Sequence, residues 1–107
     1  MPQYPPTSRI VPNEVVTNLT GTRNINNSAS MVCKVIVLSP MTAGSFTLND
    51  AGDIPGSNAG NTIYTLPFGN ANLNVGGQTI ELNIPIAAGL TCSALGAGGV
   101  FAVTYSI

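Results

Sequence analysis

From Met31 to Ile107 apolar side chains recur at every second position in short runs, and glycine and proline interrupt each run before it grows long. A period of two puts alternate side chains on opposite faces of a strand, whereas a helix repeats at three and four residues. The cleanest run sets Ile80, Leu82, Ile84 and Ile86 against Thr79, Glu81, Asn83 and Pro85. Leu90, Cys92 and Ala94 continue it, and Phe101, Val103, Tyr105 and Ile107 alternate with Ala102, Thr104 and Ser106. Phe46 and Leu48 predict one buried face among Ser45, Thr47 and Asn49. Tyr64, Leu66 and Phe68 form a further set, and Leu73 with Val75 another. Met31, Cys33, Val35 and Val37 interleave with Val32, Lys34, Ile36 and Leu38, so both faces are apolar and the strand is expected to be central. No window carries a helical period with caps.

The punctuation agrees with this reading. Gly76-Gly77 sits where a tight hairpin turn is expected, and Ala87-Ala88-Gly89 and Gly96-Ala97-Gly98-Gly99 separate the last strands. Asp50 to Asn61 is the longest stretch without a strand pattern. About seven or eight short strands with no helix between them predict an all-β fold, a single antiparallel β-sandwich or jelly roll. Alternation alone does not choose between those two. A chain of 107 residues has room for one core, and residues 13–107 are expected to form it.

Residues 1–12 follow a different rule. Pro2, Pro5, Pro6 and Pro12 exclude a helix interior or a central strand, which predicts an extended N-terminal arm. Tyr4, Ile10 and Val11 give that arm apolar contacts, Pro5 and Pro6 stiffen it, and Arg9 adds a charge. These six residues are the candidate contact set.

Little in the chain points to chemistry. There is no histidine, which removes the commonest general base and the usual Ser-His and Cys-His pairs. Asp50 and Asp53, beside Asn49, offer oxygens for calcium, but they lack the spacing of an EF-hand loop, and a solvated hairpin loop is the simpler reading. Gly96-Ala97-Gly98-Gly99 has no lysine and leads into a strand, so it reads as a turn and not as a phosphate loop. Cys33 and Cys92 have no metal-ligand spacing, and two buried thiols are favoured over a disulfide. No enzyme activity, cofactor or metal is expected.

Charge excludes further classes. Lys and Arg together number 3 and Asp and Glu 4, only 7% of the chain, where an ordinary domain carries about 25%. Three scattered cations do not neutralise the phosphates of a nucleic-acid site. No apolar run approaches the ~20 residues of a membrane-spanning helix, and the first residues lack the features of a signal peptide, so synthesis in the cytoplasm is expected. A net charge of −1 leaves little repulsion between copies, a condition that favours assembly.

Two segments carry a resemblance. Gly77-Gln78-Thr79-Ile80-Glu81-Leu82-Asn83-Ile84-Pro85-Ile86-Ala87-Ala88-Gly89-Leu90-Thr91-Cys92, followed by Val100-Phe101-Ala102-Val103-Thr104-Tyr105, resembles the C-terminal strands of small β-sandwich virion proteins of tailed bacteriophages. Gly44-Ser45-Phe46-Thr47-Leu48-Asn49-Asp50 looks like a hairpin strand of the same group. Over residues 29–107 the chain is thus similar to capsid decoration (cement) proteins. The resemblance implies a structural protein at the virion surface, homo-oligomeric on the shell, whose partner is the major capsid protein lattice. The alternative is a tail-fibre or baseplate domain binding host carbohydrate, which would need Tyr64, Phe68 or Tyr105 exposed.

Overall fold

The computed structural model describes residues 14–107, and within them the chain is all-β. Its strands are β1 (Glu14–Leu19), β2 (Arg23–Asn26), β3 (Ser30–Ser39), β4 (Ser45–Asp50), β5 (Thr62–Pro67), β6 (Thr79–Ile86), β7 (Leu90–Ala94) and β8 (Val100–Ser106). The helical content of the described residues is one 3₁₀ turn, Ala59–Asn61.

Strand pairing decides the topology. Each strand of the first half pairs antiparallel with its mirror in the second: β1 with β8, β2 with β7, β3 with β6, and β4 with β5. The chain is therefore one long ribbon doubled back at the β4–β5 loop. Rolling that ribbon adds the β3·β8 and β4·β7 pairs and gives two four-stranded sheets, in orders β1-β8-β3-β6 and β2-β7-β4-β5. Such an arrangement is a jelly roll.

The core lies between the sheets. Phe46, Leu48 and Leu66 face inward from one sheet and Val35, Val37, Phe101 and Val103 from the other, all of them buried. The rings of Phe46 and Phe101 meet at 4.5 Å between centroids, and Tyr64 approaches Phe46 edge-on at 6.5 Å. Burying each such large side chain is worth about 1.5–3 kcal/mol, so alternation of the kind seen in β4 and β8 is what holds the sheets together.

The structure departs from the sequence reading in four places. On β3 the register shifts between Val32 and Lys34, so Val32 joins Val35 and Val37 in the core and the alternation restarts beyond Cys33. Asn83, opposite this irregularity, takes a left-handed φ of 53°, which asparagine tolerates better than most residues. Leu73 and Val75 belong to a loop, not a strand. Asn70 there accepts the backbone N–H groups of Asn72 and Leu73, and such local bonds compete with a ladder. Finally, β1 and β2 escaped the pattern because Val15 and Val16 are adjacent and β2 is only 4 residues long.

Because all pairings are antiparallel, the loops fall into two groups. The chain enters β1 at one end, together with the β2–β3, β4–β5 and β6–β7 connections. The β3–β4, β5–β6 and β7–β8 connections close the opposite end.

Candidate functional site

Asp50 ends β4 and points its carboxylate at the β6–β7 corner. It accepts the backbone N–H groups of Ala87 at 3.0 Å, Ala88 at 2.8 Å and Gly89 at 3.3 Å. These bonds, with Ala87 foremost, hold the carboxyl below its ordinary pKa against an opposing push from burial. Asp53 closes a different turn, its Oδ1 accepting the Gly56 N–H at 2.7 Å. The two carboxylates entertained as calcium ligands are thus both taken up by backbone N–H groups, Asp50 at the β6–β7 corner and Asp53 in its own turn. Among the described residues no cluster of three or more His, Cys, Asp or Glu side chains offers a metal site.

A pH dependence follows from Asp50. Its folded pKa is depressed, so its contribution to stability is complete above the unfolded value near 4 and is lost as pH falls through the folded value. Asp50→Asn is expected to be less stable than the parent at pH 7, with the gap closing below about pH 4. Urea unfolding across pH 2.5 to 7 checks this, and a gap independent of pH refutes it.

The β4–β5 loop is anchored by amides. Asn49 is buried on β4, and its Nδ2 donates to the Asn58 carbonyl at 2.9 Å, Asn61 Oδ1 at 2.8 Å and Thr62 Oγ1 at 3.2 Å. Its Oδ1 accepts from the Ser93 hydroxyl of β7. Asn58 and Asn61 cap the 3₁₀ turn reciprocally, since Gly60 N–H donates to Asn58 Oδ1 and Asn58 N–H to Asn61 Oδ1. Sequence reasoning passed over this network. The recurrence of Asn at 49, 58 and 61 was its only trace.

Both cysteines are buried thiols on different sheets. Cys92 sits in the core, where burial pushes its pKa up to about 11, and its Sγ donates to the Ala94 carbonyl at 3.3 Å. A thiol so protonated is a poor nucleophile.

The aromatic residues needed for a sugar platform do not gather. Tyr105 is buried in the core, and Tyr64 packs against the core from the edge of the other sheet, where burial raises its pKa. Phe68 is exposed in the β5–β6 loop, as is Val75, and Leu38 near the end of β3 is exposed at the same end of the fold, opposite the entry to β1. Asn74 holds these parts together by donating to the Met41 and Phe68 carbonyls, while Met41 N–H donates to Asn74 Oδ1. No protein family, curated protein or solved structure matches the chain. The contact set Tyr4, Pro5, Pro6, Arg9, Ile10 and Val11 lies outside the described residues. Among the described residues no helix is long and apolar enough to cross a membrane.

The described surface thus presents apolar area, while several of its polar groups serve the fold. Its aspartates, its buried amide and its thiols are engaged in folding, while Leu38, Phe68 and Val75 at one end, and Ile54 and Ile107 at the other, remain exposed.

Proposed function

We propose that this chain is a decoration protein that binds the outside of an assembled phage capsid and stabilises it. The observation that carries the reading is a jelly roll whose polar groups close its own corners while large apolar side chains stay at its surface. Such a surface gains free energy by burial against a partner. Decoration works by mass action: a protein that binds only the assembled shell stabilises it by its binding free energy. Low charge suits close packing of many copies on a lattice.

The arm supplies the second contact. Residues 1–12 end one residue before β1 and, fully extended, span at most ~40 Å. Prolines reduce the entropy lost when such a segment docks.

Deleting residues 1–12 is expected to leave the far-ultraviolet circular dichroism of the jelly roll unchanged and to weaken binding to expanded shells at least tenfold, measured by co-sedimentation. Unchanged binding would remove the arm from the mechanism. A tail module binding carbohydrate would instead lose ligand on Phe68→Ala and keep it after the deletion, and that result would replace the capsid reading.

A further inference from the structure

Strand edges are where a sheet can add a neighbour, and the described residues have four: β1 and β6 in one sheet, β2 and β5 in the other. Three of them are blunted. β6 carries Pro85 and the left-handed Asn83, β5 ends in Pro67 and has a register shift near its other end, opposite Leu48 and Asn49, and β2 is 4 residues long with a shift between Asn24 and Asn26. β1 has none of these devices. It pairs with β8 in unbroken register from Glu14 to Leu19, contains no proline, and exposes Val16, a β-branched side chain, to 60%.

We propose that β1 is a dimerisation strand, pairing antiparallel with β1 of a second copy so that Val16 lies opposite Val16 and the two sheets become one. The alternation on β1 limits the allowed registers, and the side chains that meet favour this one among them. Glu14, Val16 and Asn18 are exposed, while Val15 and Thr17 are less so and Leu19 is buried. Directly opposed residues share a face, so outward residues must meet outward residues for both cores to lie on the same side of the joined sheet. Centred on Val16, the pairing sets Val15 against Thr17 and Glu14 against Asn18, twice over by symmetry. A carboxylate then faces an amide donor, and no like charges meet. Centring on Thr17 would instead set Val16 against Asn18, and centring on Val15 would set it against Glu14. The contact is isologous and closes, as a two-fold dimer requires. A net charge of −1 per copy opposes it little.

Sedimentation velocity of the full chain tests the proposal with no shell present, so its outcome stands apart from that of capsid binding. The expected result is a dimer, and Val16→Lys and Val16→Glu are each expected to sediment as monomers with the parent's circular dichroism. Mixed in equal amounts, the two variants are expected to restore the dimer, because the register sets the lysine against the glutamate. As a second check, Asn18→Glu is expected to weaken association at least tenfold and Asn18→Lys to strengthen it, since residue 18 faces Glu14. A parent that stays monomeric overturns the proposal, as does a dimer indifferent to Val16→Lys or mixed variants that fail to associate. A monomer that dimerises only after deletion of residues 1–12 also overturns it, because the chain's own arm then occupies the edge.

Discussion

Gly96→Ala is expected to lower the melting temperature by about 10–20 °C, corresponding to a loss of roughly 3 kcal/mol in a domain of this size. Gly96 lies in the β7–β8 turn, where the backbone passes against the β3–β4 loop. A Cβ there would run into the Ala43 carbonyl oxygen and lie 2.9 Å from Met41 Sδ and 3.0 Å from the Ala43 carbonyl carbon. Two of those three atoms are backbone and cannot swing aside. Relief requires the loops to separate, which would stretch the Thr42 N–H bond to the Ala97 carbonyl, now 2.8 Å, and unseat buried Met41. Gly21→Ala is the control: no atom lies within 4 Å of its would-be Cβ, so its melting temperature should stay within a degree or two of the parent. Thermal unfolding followed by circular dichroism reads both. A Gly96→Ala protein that melts with the parent would mean that this crossing is slack.

Asn49→Asp should be nearly as damaging, with a distinct pH signature. The substitution preserves shape but replaces the donating amide by a carboxylate oxygen aimed at the Asn58 carbonyl and Asn61 Oδ1, both of them acceptors. A buried charge without donors on that side costs about 3 kcal/mol or more at neutral pH. The new carboxyl would escape by binding a proton, so its folded pKa rises above its unfolded one. The variant is therefore expected to approach the parent's stability below about pH 4 and to fall behind as pH rises through the raised value. The gap to the parent therefore closes toward low pH, as it does for Asp50→Asn, but for the opposite reason: there a carboxyl with a depressed pKa is lost, and here one with a raised pKa is gained. Limited proteolysis at pH 7 should cut the loop over residues 51–61 faster than in the parent. A variant as stable and protease-resistant as the parent at pH 7 would show that Asn49 does not anchor the loop.

Strands built on strict alternation were legible in the sequence, and Phe46 with Leu48, Ile80 with Ile86, and Phe101 with Val103 occupy the core as their spacing predicts. Topology was not legible, because periodicity says which face of a strand is buried and nothing about which strand lies beside it. Cys33 shows the limit within a single strand: one irregularity opposite Asn83 moved Val32 into the core, and a shift in pairing leaves no mark in composition. Leu73 and Val75 failed for another reason. Asparagines at 70 and 74 offered the backbone local partners, and turn chemistry outweighed alternation. For the candidate site, Asp50 and Asp53 stood out as charges in a glycine-containing loop, but their use as backbone caps depends on where the Ala87 and Gly56 amides come to lie.

The doubled ribbon also dictates an order of events during synthesis. Of the described strands β1 leaves the ribosome before any other, yet its partner β8 follows all of them, since Glu14 meets Ser106 and Leu19 meets Phe101. Among the described residues only the β4–β5 hairpin at the fold of the ribbon joins strands that are close in sequence, and every mirror pair outward from it closes a longer loop than the one before. Contacts of such long sequence separation make folding slow, on the order of milliseconds to seconds. The hairpin is then the natural starting point, with closure spreading outward toward the termini. The edge of β1 that later faces outward, and the edge that later meets β8, are both open throughout translation, and one of them closes only when the last strand is free to turn back.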